Sequence, residues 1–241
     1  MVCPLRASNM NRDELIERYF KDRRQKDKHF GGYPFLTISR QAGAGGHTLA
    51  ETLLAKLDGH GYSDPCRGWK LFDRELCEEV SAQPDLHVSV QSLLTEDYRS
   101  EMADFLRQVM GRDTPQTVVY RRLFEIQRTL STVGKVILVG RGASFATRNM
   151  RAGIRVRLTA PIEVRQDAMM RILDVDHEQA TKAVARHDQE RARFVKTLFN
   201  HDINDLTLYD EAWDTSKTSI DIIADAILER IKAKAEEVGR T

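Results

Sequence analysis

The sequence predicts an α/β fold with a central parallel sheet and helices on both faces, and three observations lead to it. Short apolar runs alternate with longer stretches of helical period along most of the chain. Val136-Ile-Leu-Val139 is apolar on both faces, as a strand inside a parallel sheet requires. A glycine-rich turn, Ser39-Arg-Gln-Ala-Gly-Ala-Gly-Gly-His-Thr48, joins the first strand-like run to the first helix-like one. In open parallel sheets ligands bind at such junctions, outside the carboxyl ends of the strands.

Taken in order, residues 10 to 30 read as a charged helix with one short apolar stripe, Leu15, Ile16, Tyr19 and Phe20. The stripe suits packing on the body or on a second copy of the chain, so a homodimer through this helix is one expectation. Gly31-Gly-Tyr-Pro34 then punctuates the chain and divides an N-terminal extension, 1–32, from a main domain, 33–241. Phe35 to Ser39 reads as a strand and Thr48 to Leu57 as a helix, with Leu49, Ala50, Leu53, Leu54 and Leu57 on one face. Trp69 to Phe72 is a short strand feeding a helix from Asp73 to Ala82. Polar helical stretches follow over about 88–111, then a helix from Thr117 to Thr132 and the strand 136–139. Ile154-Arg-Val-Arg-Leu158 is a further strand, and Pro161 opens a helix through Ile172. A long charged helix or helix pair covers about 176–199, and Ser219 caps a last helix carrying Ile223, Ala226, Ile227 and Ile231 on one side.

Composition removes several classes of function. With 37 Lys+Arg against 36 Asp+Glu among 241 residues, the chain has no overall field to hold a polyanion, so no nucleic-acid partner is expected. No apolar run approaches the ~20 residues of a membrane span, and no membrane partner is expected either. Cys3, Cys66 and Cys77 form no CxxC pair, and the N-terminal residues lack a secretory apolar core; both fit a cytoplasmic protein. His60, His87, His177, His187 and His201 show no zinc-ligand spacing, and no G-x-S-x-G is present.

The candidate chemistry therefore concentrates in the glycine turn. Gly43, Gly45 and Gly46 let the backbone turn N–H groups inward, and the helix behind them adds about half a positive charge, so the loop suits phosphate. The other reading is a tight strand-to-helix turn and nothing more. Against the phosphate-loop pattern G-x-x-x-x-G-K-[ST], Gly46 and Thr48 agree, Gln41 replaces the first glycine and His47 replaces the lysine. Thr48 stands where a magnesium-binding hydroxyl would. Arg141, between two glycines after the apolar strand, suits a bidentate grip on a phosphate or an ordinary pairing with the sheet edge.

Thr37 to Ala50 also resembles the opening of the cytidylate kinase-like family, whose loop carries Arg or His where other kinases have Lys. Phe72-Asp-Arg-Glu-Leu76, Val136-Ile-Leu-Val-Gly-Arg-Gly-Ala143, Asp188-Gln-Glu-Arg-Ala192, Tyr209-Asp210 and Asp214-Thr215 resemble later family elements in the same order. The resemblance runs from about Phe35 to Lys232. It implies a three-layer P-loop kinase-type fold with a helical monophosphate-binding insertion over about 84–134 and lid helices over about 176–200. It further implies ATP with Mg2+ at Gly43, Ala44, Gly45, Gly46, His47 and Thr48, and a nucleoside monophosphate such as CMP or dCMP near Asp73 and Arg141.

True cytidylate kinases follow the Gly-Arg pair with Asp, and here Gly142 stands in that place. Arg165 matches a family arginine, whereas Arg171 reads as surface. On the lid helix Arg186, Asp188 and Arg191 are the catalytic candidates, since phosphoryl transfer needs positive charge along the transferring group. Asp188 and Arg191 are i, i+3 neighbours, so the carboxylate can hold the guanidinium; the alternative is a solvated face of salt-bridge pairs. Two rival functions remain open: a non-catalytic nucleotide-binding or regulatory module, and a P-loop kinase for a non-nucleotide acceptor.

Overall fold

The computed structural model describes residues 32–59, 66–72, 105 and 115–239. Residues 1–31 of the expected extension, the helices expected over 73–82 and 88–111, Asp73 and most of the expected 84–134 region lie outside these residues.

Five strands form one sheet: β1 (Phe35–Arg40), β2 (Lys70–Phe72), β3 (Val136–Val139), β4 (Gly153–Thr159) and β5 (Glu211–Asp214). Their order is β2-β3-β1-β4-β5, and every adjacent pair is parallel. β1 is thus central, and its register sets Ser39 beside Arg157 and Thr37 beside Leu138 and Arg155. The helices are α1 (Gly46–Asp58), α2 (Pro115–Val133), α3 (Ala143–Ala146), α4 (Ile162–Leu173), α5 (His177–Phe199) and α6 (Ile220–Gly239).

Alternation along β1 decides which helices cover which face. Leu36 and Ile38, with Ile137, Val139, Val156 and Leu158, meet Leu49, Leu53 and Leu57 of α1 and Ile223, Ile227 and Ile231 of α6. Full burial of each such side chain is worth about 2 kcal/mol, which makes this face the main core. Thr37 and Ser39 point the other way, towards α3, where the Thr37 and Ser144 hydroxyls share a 2.8 Å hydrogen bond. One face of the central strand is therefore apolar and the other is hydroxylated and, on β4, guanidinylated.

The long charged stretch is a single helix, α5, started by Asp176, whose carboxylate accepts from the Gln179 N–H, and stopped by Asn200 in the left-handed conformation. Its partner α4 stops at Asp174, also left-handed, so a very short turn folds the two into an antiparallel pair. The Ser219 cap of α6 is present, accepting from Ile222 N–H at 3.4 Å. Three elements among the described residues have no counterpart in the sequence reading: the four-residue α3, the 3-10 turn Leu206–Leu208 and the edge strand β5.

Candidate functional site

At the carboxyl end of β1 the chain turns through Gln41–Gly45 into α1. Gly43 and Gly45 have φ of 78° and 77°, a left-handed conformation that glycine adopts without strain. Gly43 also lies against the Arg165 backbone, where a Cβ would collide with the carbonyl. Gly45 is the N-cap of α1 and supplies no side-chain cap, so the first N–H groups of the helix have no capping acceptor from it. Ala44 is buried and its N–H donates to Gln41 O at 3.3 Å. Gln41, in place of a glycine, ties the loop to β4: its N–H donates to Leu158 O and its side-chain oxygen accepts from Ala160 N–H.

His47 and Thr48 are both exposed on the first turn of α1. His47 Nε2 lies 3.2 Å from Glu51 Oε1, one turn on, an exposed pair of small energetic weight. Among the described residues no cluster of three His, Cys, Asp or Glu is arranged to hold a metal ion. A magnesium ion here would rest on the Thr48 hydroxyl and on ligand oxygens, which suits a cation that keeps several waters and few protein ligands.

Helix α5 is fastened to this loop. Asp188 Oδ1 accepts from the Ala42 N–H at 2.7 Å, and its Oδ2 accepts from Arg165 Nη1 at 2.6 Å. Arg165, buried, also donates through Nε to Ala160 O and through Nη1 to Ala42 O. Arg191 Nη1 reaches Asp188 Oδ1 at 3.4 Å, the expected i, i+3 contact. Burial pulls the Arg191 guanidinium below its ordinary value while Asp188 opposes the shift. Ala42, Met169, Ala180, Ala183 and Val184 pack as a small apolar cluster under these bonds. Arg186 is exposed, and neither cavity described below includes it. Arg171 is exposed as expected.

A cavity of about 370 Å³ opens beside the loop between the ends of β1 and β3 and the middle of α5. Arg141 lines it from a left-handed conformation, φ 51°, between Gly140 and Gly142, which are left-handed too. A non-glycine residue held there is strained, and such strain gathers at ligand sites. Arg40 crosses from β1 over Gly140, where a Cβ would meet its guanidinium. Arg191, His187 and Glu190 line the cavity from α5, and Tyr120 and Phe194 form an aromatic wall with ring centroids 5.3 Å apart. At Gly142 a Cβ would approach the Phe194 and Phe199 rings to 2.9 and 2.8 Å, so aromatic side chains occupy the space a larger residue would need there.

A smaller cavity, about 120 Å³, adjoins this one and shares Arg40, Arg191 and Ile203 with it; Gln41, Arg157, Asp188 and Asn204 complete the lining. Arg157, 2% exposed, donates to Ser39 Oγ at 2.9 Å and to Asn204 Oδ1 at 3.1 Å. Tyr209 hydrogen-bonds Ser39 Oγ and donates to Ile203 O. Burial lowers the Arg157 guanidinium from its ordinary value, with Tyr209 and Asp188 opposing, and it remains charged at neutral pH.

The structure thus brings Gly43–Thr48, Asp188, Arg191 and Arg141 to one end of the sheet, while Asp73 lies outside the described residues. The sequence reading missed Arg157, and it gave Gln41 no role beyond replacing the first glycine of the loop pattern. The signal was available in Arg155-Val-Arg157, whose alternation puts both arginines opposite Val156, on the face where β1 carries Thr37 and Ser39. Asp210 and Asp214, noted for their family likeness, serve the sheet edge: Asp210 accepts from the Arg155 N–H, and Asp214 from Ser216.

The sequence matches the cytidylate kinase-like family over residues 35–217. Cytidylate kinase of Pyrococcus furiosus is 35% identical over 86 residues, 36% of this chain and 44% of that protein. Cytidylate kinase of Methanocaldococcus jannaschii is 31% identical over 105 residues, 42% of this chain and 56% of its own length. The matched segments thus span about half of these relatives. A solved structure of an uncharacterized protein from Eubacterium ventriosum aligns with a TM-score of 0.63 at 20% identity, over 83% of this chain and 98% of its own. That likeness is one of fold. No helix among the described residues is long and apolar enough to cross a membrane.

Proposed function

The chain belongs to the cytidylate kinase-like family, and from that premise we propose that it transfers the γ-phosphoryl group of ATP to a small acceptor, a nucleoside monophosphate such as CMP or dCMP. One observation supports this reading: a glycine loop, left-handed at Gly43 and Gly45, follows directly on Arg40, which lines a cavity together with Arg141 and Arg191, so a donor phosphate and an anionic acceptor have neighbouring places. The N–H groups of Gly43 and of Gly45–Thr48 would cradle the phosphates of ATP, a task that does not depend on a lysine. Magnesium, held through Thr48 and the phosphates, would neutralise negative charge on the donor.

In this reading Arg191 supplies positive charge to the transferring group, and Asp188 is a positioning residue that fixes Arg191 and the loop together. Arg141 grips the acceptor phosphate. Arg186, on the exposed side of α5, contributes at most from the rim. His47 turns from Glu51 to the phosphates when nucleotide arrives. The substrates are water-soluble, in keeping with a cytoplasmic enzyme.

A coupled assay of ADP release with a panel of nucleoside monophosphates tests the proposal, alongside calorimetry of ATP binding. Stimulation by CMP or dCMP is the expected result. ATP binding with no acceptor-stimulated release would turn the reading towards a nucleotide-binding module. The aromatic filling at Gly142 favours a second version of the same chemistry, a kinase for an acceptor that is not cytidine, and release with a different metabolite would establish it.

A further inference from the structure

In phosphate loops the lysine after the last glycine carries a fixed charge to the β- and γ-phosphates, and here that position is His47. His47 does not replace it in kind. Its side chain is exposed, lies against Glu51 and is cationic only when protonated. Arg40, the last residue of β1, approaches the same helix end from the sheet. Its stem lies on the first residue of α1: a Cβ at Gly46 would come to 2.7 Å of the Arg40 Cγ and 3.0 Å of its Cδ. Its guanidinium lies against Gly140, where a Cβ would meet Nη1.

Gly46 is not among the left-handed glycines, so its backbone would accept alanine; what excludes a side chain there is the Arg40 stem. Side chains are thus absent at both points along the path of one arginine. Arg40 also lines the larger cavity together with Arg141 and Arg191, so it runs from the start of α1 to the space assigned to the acceptor. It is mounted on the central strand of the sheet, whereas Arg191 sits on α5 and shares Asp188 with Arg165.

Resting on the kinase reading, we propose that Arg40 is a catalytic residue that takes the place of the loop lysine, contacting the γ-phosphoryl group as it passes from the glycine loop to the cavity. In that step the bond from the γ-phosphorus to the bridging oxygen breaks and its electron pair stays on the ADP β-phosphate. A bond to an acceptor phosphate oxygen, already anionic, forms, and Arg40 neither gives nor takes a proton. Its planar fork can donate to two oxygens at once, which suits charge spread over a group in transit.

The test measures by calorimetry, on the full chain with magnesium, how far beryllium fluoride, a γ-phosphoryl mimic, tightens the binding of ADP. The wild type should gain about tenfold or more, and equally at about pH 6 and pH 8, because a guanidinium does not titrate there. Arg40→Met keeps an unbranched stem between Gly46 and Gly140; it should hold ADP affinity within about threefold and lose most of the gain, which Arg40→Lys should retain. Adding His47→Lys to Arg40→Met should restore at least about a third of the gain, a rescue that a brace for the turn at Gly140 would not show. Where Arg40→Met does not fold, Arg40→Gln with and without His47→Lys is read the same way.

A wild-type gain that falls as pH rises through the histidine range assigns the charge to His47 and overturns the proposal. An undiminished gain in the charge-removing variant, a double variant no better than the single one, or no gain in a wild type that binds ADP also overturns it. Turnover is read separately. A wild type that shows the gain but releases ADP with no acceptor counts against the kinase reading alone and leaves Arg40 as the γ-phosphoryl contact of a nucleotide-binding module. A chain that binds no ADP overturns the kinase reading and the proposal with it.

Discussion

The loop at Gln41–Thr48 and the cavity beside it are built from different material. The loop presents backbone: its N–H groups do not depend on side-chain identity, and its glycines are fixed by φ and by close neighbours such as the Arg165 carbonyl. The cavity presents side chains, Arg141, Arg191, His187, Glu190, Tyr120 and Phe194. A backbone site tolerates His47 where a lysine is expected, whereas a side-chain site records the acceptor in residues such as Gly142. On the proposed reading, the donor site is set by backbone geometry and the acceptor site by the identity of side chains.

The sharpest break in that comparison comes from the loop. Gly43→Val combines a strained left-handed β-branched residue with a collision at Arg165, and should abolish ATP binding in calorimetry. Retained binding would mean that the loop is an ordinary turn. Next is Asp188→Ala, which frees the Ala42 N–H and leaves Arg165 and Arg191 without their carboxylate. A loss of about 3 kcal/mol in unfolding free energy is expected by denaturant titration, since removing one partner of a largely buried pair strands the other.

Arg191→Met should lower kcat by roughly 100-fold with little change in the KM for ATP, as for a charge used mainly in the transition state. An unchanged kcat would return α5 to a solvated helix that merely braces the loop. Gly142→Asp is a test of the acceptor half. Because Phe194 and Phe199 fill that space, the carboxylate has no room, and activity with every acceptor should fall while ATP binding holds. The smallest effect belongs to His47→Ala: the side chain is exposed and paired only with Glu51, so ATP affinity should change by less than about tenfold.

How far the sequence reached follows the same division. β1, β3 and β4 were legible because each buries at least one whole face, and burial writes an apolar pattern. β5 was not, since Glu-Ala-Trp-Asp at a sheet edge is mostly half-exposed and carries no such pattern. The glycine loop was legible because glycine at left-handed positions has few substitutes. Asp188 was identified for its neighbour three residues away, yet its stronger bonds go to Ala42 and Arg165, 146 and 23 positions distant, and no local spacing announces contacts of that range. Arg157 was read past because an arginine in a strand is ordinarily on the solvent side.

The bond from Ala42 to Asp188 makes one backbone proton a reporter of the whole arrangement. Ala42 is buried and sits ahead of the loop glycines, so its amide can exchange with solvent only when α5 lifts from the sheet or the carboxylate lets go. The exchange rate at this single position thus measures how often the bond between loop and helix is broken, in the absence of any ligand. It gives the free energy that a nucleotide or an acceptor must supply, or is spared, in ordering the site.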